Sequence, residues 1–333
     1  MNIEIELENE EEIILPEHWG NRRNIENEEP VNENIIVVIP NIIWSKFKNN
    51  NNSDLLKIIS GFDFDEFNDL FSKVKKKFRQ KGRGGRRGGI RNYKQMPGNK
   101  TIFLLTLSWL RNYDKYEILS TNFGISKAWC HDLVVDTIFK CHDILVHDQI
   151  YWIGFKKQKE ENSLFVNFPT VVAVIDCTVH RINKPKRRQK SCSGLVMHYV
   201  TGVNGRKHDK KIFDRSYPGE IENFFHKENE ESQIEEPLAL MVDKGYKGVN
   251  QIKIFIPYFG KRENLTEEQN DFNRLIGKHR VIIEQFYGRL KNRNRVTTDR
   301  WRNEIGDFHN KVIGISIALT NYHIRCGHPI RRN

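Results

Sequence analysis

The chain has little cysteine and no C-x-x-C pair: Cys130, Cys141, Cys177, Cys192 and Cys326 are scattered and odd in number. That scatter excludes a zinc-finger or zinc-ribbon framework and points to reduced thiols in a reducing compartment. Also missing is any apolar run near the ~20 residues that a membrane-spanning helix needs. The longest, Ile35 to Ile43, is broken at Pro40. Glycine is plentiful between Gly82 and Gly89, yet no Gly-Lys-Ser/Thr follows, which excludes a P-loop. The first residues lack a basic segment followed by an apolar core, so no secretory signal is read there. These absences together predict a soluble, intracellular protein that is neither secreted nor membrane-bound.

Charge is abundant and unevenly spread. The chain of 333 residues carries 54 Lys and Arg against 43 Asp and Glu, a net +11. Residues 1–35 hold eleven glutamates against Arg22 and Arg23, a net −9, which leaves about +20 for the remainder. A body this basic calls for a polyanionic partner, most commonly DNA or RNA, against the plainer reading of a solvated basic surface. Residues 1–34, rich in Asn and Glu, read as a disordered acidic tail, and 35–72 as a small helical element. Residues 73–99 form a basic Gly/Arg-rich arm whose stretch from Lys73 to Lys94 has no acidic residue. Arg83, Arg86 and Arg87 stand at its centre. Such an arm suits DNA phosphates or a narrow minor groove, a nuclear-import signal, or a solvated linker.

From residue 100 to 150 the pattern is helical. Ile102, Leu104, Leu105, Leu107, Trp109 and Leu110 mark one helix, and Tyr116, Ile118 and Leu119 a short second one that stops at Phe123-Gly124. A third begins behind Ser126 and runs through Trp129, Leu133, Val134 and Ile138. Helix, glycine turn, Ser N-cap and helix together predict a helix-turn-helix DNA-binding domain, the alternative being a purely structural bundle. In that geometry Ser126, Lys127, Trp129 and Cys130 would face the major groove. Cys130-His131 and Cys141-His142 are about three helical turns apart, too far to share a zinc ion.

Residues 165–325 alternate strands and helices, which predicts an α/β domain with a mixed central sheet flanked by helices. Strands are expected at 171–176, 195–200, 238–243 and 252–259, and helices near 209–225 and 266–292. A further apolar helix at 302–324 is expected to pack on this domain. Val171 to Ile175 and Leu238 to Val242 are short, apolar runs, the first of them mostly β-branched, and they end at Asp176 and Asp243. That is how doubly buried strands read, each with a carboxylate at its C-terminal end. Glu284 lies on the helix expected over 266–292. Three such carboxylates offer hard oxygen ligands for a pair of divalent cations, the apparatus of in-line displacement at a phosphodiester. Arg280, Glu284 and Lys291 share one helix face, since eleven residues return to within about 20° of the start. Arg280 and Lys291 would hold the phosphates of the strand being cut, whereas an Arg280–Glu284 surface pair is the plainer reading. Asp209, just ahead of Ile212 and Phe213, reads as an N-cap. A phosphatase using a strand-end aspartate is disfavoured, because Thr178 stands where its second acid belongs.

Four segments carry a resemblance: Val-Ile-Asp176-Cys-Thr-Val-His, His208-Asp209-Lys-Lys-Ile-Phe, Met-Val-Asp243-Lys-Gly-Tyr-Lys-Gly, and His-Arg280-x3-Glu284-x6-Lys291. Over roughly residues 73–325 the chain resembles DDE-type transposases of the PIF/Harbinger group and their bacterial insertion-sequence relatives. The resemblance implies an RNase H-like catalytic domain behind a helix-turn-helix, with Asp176, Asp243 and Glu284 as catalytic and metal-binding residues. It implies two Mg²⁺ ions (Mn²⁺ substituting), hydrolytic cleavage at transposon ends, and attack of the freed 3′-hydroxyl on target DNA. The implied partners are terminal-repeat and target duplexes, with a homo-oligomer forming on DNA. The acidic tail and import-like arm place it in a eukaryotic nucleus, or otherwise in the cytoplasm. One departure stands out. Between Asp176 and His208 the chain reads as short of a core strand, with Lys184–Lys190 read as a basic loop, and losing that strand would expose a sheet edge. On that ground a domesticated or catalytically impaired DNA-binding protein is the alternative.

Overall fold

Helix formation is written first in paired polar caps. Asp63 and Glu66 exchange backbone-to-side-chain hydrogen bonds of 3.1 and 2.9 Å, a reciprocal box that starts α2 (Phe64–Phe78) after α1 (Ser53–Ser60). The computed structural model describes residues 53–78, 97–180, 184–190, 194–201, 208–232, 235–303 and 306–330. The acidic tail and most of the basic arm, with Arg83, Arg86 and Arg87, lie outside the described residues. α3 (Asn99–Asn112) is buried on every side from Thr101 to Leu110, as the central helix of a bundle must be. α4 (Tyr116–Phe123) ends at Gly124, whose φ of 64° turns the chain through the left-handed region. α5 (Lys127–Gln149) then starts with the Ser126 hydroxyl accepting from the Trp129 N–H at 3.3 Å. These three helices fall where the sequence pattern puts them.

The α/β part opens with α6 (Phe155–Glu160), followed by β1 (Val171–His180), β2 (Lys184–Lys190) and β3 (Val196–Val200). Then come α7 (Asp209–Ser216), a π turn over Tyr217–Ile221, α8 (Glu222–Ser232), β4 (Ala239–Met241) and β5 (Lys253–Phe255). The long α9 (Glu267–Arg293) is started by a Thr266/Gln269 capping box, and α10 (Asp307–Arg325) completes the fold. The five strands stand in the order β3-β2-β1-β4-β5, with β1, β4 and β5 parallel and β1, β2 and β3 antiparallel. The sheet is mixed, as expected, with β1 at its centre.

Two expectations need correction. Lys184–Lys190 is a strand rather than a loop, pairing from Val174↔Lys190 to His180↔Lys184 with β1 and also with β3. No core strand is lost between Asp176 and His208. A run of Lys, Arg, Pro and Gln carries no apolar alternation, so it becomes a strand only because neighbours on both sides take up its backbone groups. The second correction concerns α10, which packs chiefly against α5 and only in part on the α/β side. Ile313, Ile317 and Ile324 enter the core around the sheet, whereas Val312, Ile315, Ala318, Leu319 and Tyr322 enter the core of α1–α5.

This shared helix is fastened by polar bonds in a dry place. Asn321 is fully buried; its amide donates to the Gln149 carbonyl at 2.8 Å and the Val196 carbonyl at 2.7 Å, and accepts from the Val196 N–H at 2.9 Å. One side chain thereby joins α10, the C-terminus of α5 and the start of β3. Gly314, nearer the start of α10, faces the Tyr199 hydroxyl and the His142 ring so closely that a Cβ there would collide with both. Among the described residues no helix is long and apolar enough to cross a membrane. Replacing Asn321 with Leu should cost about 3 kcal/mol or more, because buried backbone groups of Gln149 and Val196 lose partners worth ~1–3 kcal/mol each. Urea unfolding of the two proteins measures it; a loss below about 1 kcal/mol would mean the clamp is not needed.

Candidate active site

β1 and β4 are adjacent and parallel, so the residues following their apolar runs lie side by side: Asp243 just past the end of β4, and Asp176 within β1, which continues to His180 instead of ending at the aspartate as the sequence suggests. Val171 to Ile175 and Leu238 to Val242 are all buried, and Asp176 and Asp243 are the first side chains beyond them that reach towards solvent. The Asp243 carboxylate caps the short turn Lys244–Tyr246 by accepting from the Gly245 N–H at 2.7 Å, and the Tyr246 ring is fully buried beneath that turn. This fixes one oxygen of Asp243 and leaves the other pointing away from the turn. Gly245 and Tyr246 shape the strand end, as their place in the sequence predicts.

Arg280 ties the two aspartates together. Its guanidinium lies 3.7 Å from an Asp176 oxygen and 3.9 Å from the second oxygen of Asp243. About two turns along α9, the Tyr287 hydroxyl donates to the backbone carbonyl of Asp176 at 3.2 Å. Glu284 lies between these two contacts, at i+4 from Arg280 and i−3 from Tyr287, so it shares the helix flank that meets β1 at Asp176. Its side chain is exposed. Among the described residues, Arg280 forms its ion pairs with the aspartates and not with Glu284, so the simple surface-pair reading fails. Lys291, half-buried in the last turn of α9, lies two turns beyond Glu284.

Asp209 is the residue that sequence reasoning placed wrongly. The cap position of α7 is His208, without a side-chain cap bond, and Asp209 is the first helical residue. Its carboxylate instead approaches the acid cluster: a Cβ built on Gly245 would lie 2.8 Å from an Asp209 oxygen and 3.0 Å from an Asp243 oxygen. Two carboxylates from distant segments therefore flank one glycine backbone. The signal available in the sequence was Gly245 itself, two residues after Asp243, where only hydrogen leaves room for a second side chain.

The acids suit a hard cation in chemistry, being oxygen donors at a polar, half-open edge. Asp176 and Asp243 converge on a single positive charge, which shows that the fold brings them to one point. A separate ligand-type group among the described residues is formed by Glu66, His323 and His328, with donor atoms within 4.8 Å of one another.

The helical candidates separate into two kinds. Ser126 and Lys127 are exposed, with the Lys127 ammonium 2.6 Å from the Glu117 carboxylate. Trp129 is half-buried against the helical core, and Cys130 is fully buried within it. Cys130 therefore does not face outward; burial pushes its thiol, like that of Cys141, up to about 12. A helix N-terminus shows only part of its first turn to solvent, and Cys130 lies on the inner side of it. Gly245→Ala should weaken Mn²⁺ binding about tenfold, the lower end of what disturbed outer partners cost, with a melting temperature near that of the unaltered protein. Calorimetric titration checks this, and unchanged affinity would detach Asp209 and Gly245 from the site.

Residues 190–321 match the family model described as DDE superfamily endonuclease. That region contains Asp209, Asp243, Arg280, Glu284 and Lys291, while Asp176 lies just ahead of it. The chain is also 25% identical over 268 residues, 74% of its length and 86% of the relative's, to a protein of Microchaete diplosiphon named as a probable transposase for insertion sequence element IS702. No solved structure matches. The resemblance read from the acid-bearing segments therefore stands: the chain is similar to DDE-type transposases, and its residues 190–321 match the DDE superfamily endonuclease model.

Proposed function

We propose that this protein is a DNA transposase that cuts phosphodiester bonds at transposon ends and joins the freed 3′-hydroxyl to target DNA, using an RNase H-like domain with Asp176, Asp243 and Glu284. The observation that carries the reading is Arg280 reaching from the helix of Glu284 to both aspartates at 3.7 and 3.9 Å. Three segments far apart in sequence, β1, the turn after β4 and α9, meet through that arginine.

Each residue of the chain has a definable task. Asp176, Asp243 and Glu284 would hold two Mg²⁺ ions, which when bound supply water activation and stabilisation of the leaving oxygen. Arg280 screens the repulsion between Asp176 and Asp243, which at close range and partial burial is worth several kcal/mol before solvent relaxation. The Gly245 N–H orients Asp243, and the Tyr287 hydroxyl holds β1 at Asp176 against α9. Lys291 serves a phosphate of the cut strand. Helices α4 and α5 form a helix-turn-helix in which Ser126 and Lys127 meet DNA, Trp129 supporting them from the core. Arg83, Arg86 and Arg87 add sequence-independent phosphate contacts. The nucleus is the proposed compartment, with the protein acting as a homo-oligomer on DNA. The binding-only alternative drew its support from a shortened sheet, and β2 removes that support.

A nicking and strand-transfer assay on duplex carrying the element's terminal repeats should show activity with Mg²⁺ or Mn²⁺ and none with a chelator present. Asp176→Asn, Asp243→Asn and Glu284→Gln should each lower cleavage by roughly 100-fold or more, beyond what outer partners of a metal contribute. Cleavage that survives Asp243→Asn would overturn the assignment of the site.

A further inference from the structure

A second concentration of charge lies further along α9, on the side away from Arg280. The side chains of Arg289 and Arg293, with His323, His328 and Asn292, line an open cleft of about 760 Å³. The guanidinium bonds here go to backbone carbonyls: Arg289 to His328 and Pro329, Arg293 to Gly61 at 2.6 Å, and neighbouring Arg111 to Ile58 at 2.8 Å. A carbonyl satisfies a donor but cancels no charge. Glu66, hydrogen-bonded to His328 at 3.1 Å, is the acid that faces the group. The side chain of Arg293 also lies over the Phe62 ring at 4.8 Å, which holds it in place.

Two ligand classes compete for such a place. Glu66, His323 and His328 are near enough for a metal ion. The two imidazoles, however, are stacked face to face at 4.0 Å and 7°. Nitrogen lone pairs lie in the ring plane, so parallel rings aim them side by side rather than at a common point. The surrounding cations also oppose a further positive charge: burial first, then Arg293, His328, Arg289 and Lys57, push His323 down to about 3. Burial and then Arg111 likewise lower Arg293, to about 10. The Nδ1 atom of His323 is buried without a hydrogen-bond partner. Fixed guanidiniums and an excess of positive charge favour an anion.

We infer that this cleft is a phosphate subsite for the DNA strand, an inference that rests on the transposase reading. Gly288 and Asn292 follow Glu284 by one and two turns, so Asn292 is ~12 Å along the axis of α9 from the proposed catalytic carboxylate. At ~3.4 Å of duplex axis per phosphate on one strand, the cleft would take a phosphate three to four nucleotides from the bond being cut. The subsite would fix how far the strand extends past the active centre, and so which bond meets Glu284.

The test uses the full chain and a duplex with the terminal repeats. Asn292→Asp is isosteric and puts a negative charge into the cleft. Gly288→Glu does the same where an added Cβ meets nothing within 4 Å, and Gly288→Ala is its neutral control. Both acidic variants should weaken binding uniformly across sequences and lower the slope of log K against log salt by about one, with Gly288→Ala unchanged. A single methylphosphonate three to four nucleotides from the cleavage point should weaken wild-type binding but not binding by Asn292→Asp. Full slopes in both acidic variants, with wild-type binding intact, would overturn the subsite alone. Inorganic phosphate that raises the wild-type melting temperature while every DNA slope stays equal would assign the cleft to a free anion and also overturn it. Absence of duplex binding by the wild type would remove the transposase reading together with this one.

Discussion

The packing of α10 between two cores is the constraint on which the other parts depend. A helix with apolar residues all round can only be buried on all sides, and α10 meets that demand by giving one flank to the sheet and another to the helical bundle. Asn321 then makes the junction specific. Its three short bonds to Gln149 and Val196 tie the last turn of α5 to the first residue of β3. Apolar packing alone would tolerate sliding of one unit on the other; a buried amide with three partners would not, because each misplacement leaves polar groups dry. The consequence is that the helices before residue 150 and the sheet after residue 170 form one body.

Within that body the site is a balance of charge at one sheet edge. Asp176 and Asp243 are brought close by parallel pairing of β1 with β4, which by itself would be unfavourable. Arg280 offsets this from a third element. Asp209 adds a further carboxylate beside the glycine that orients Asp243. A cluster with this surplus of acid is ready for cations, and the arginine-rich cleft further along α9 has the reverse surplus. Along α9, the aspartate cluster met by Arg280 thus gives way to the arginine-lined cleft.

Much of this was legible in the residues. Val171 to Ile175 and Leu238 to Val242 announce buried strands, because β-branched and apolar residues in unbroken runs have few other stable places. Gly124, Ser126 and the Thr266/Gln269 pair announce helix ends, because capping is a local interaction. β2 was not legible. Its seven residues, Lys184–Lys190, have the composition of a solvated loop, and only the open edges of β1 and β3 turn them into a strand. The direction of α10 was misjudged for a related reason: a fully apolar helix does not say which neighbour it prefers. Cys130 shows the limit on a smaller scale, since one residue's shift along a first turn separates an outward from a buried side chain.

By itself, then, the sequence determined the chemical inventory and the local frame: two acids behind apolar runs and one on a helix, a basic body, and caps that set the helices. These follow from interactions among residues close together in the chain, where pattern and composition suffice. Tertiary structure decided which charges meet. Arg280 with two aspartates, Asp209 beside Gly245, and three arginines facing carbonyls instead of carboxylates are all long-range encounters. Their free energy comes from burial and from the exclusion of water at contacts that no local pattern records, so only the folded chain reveals them.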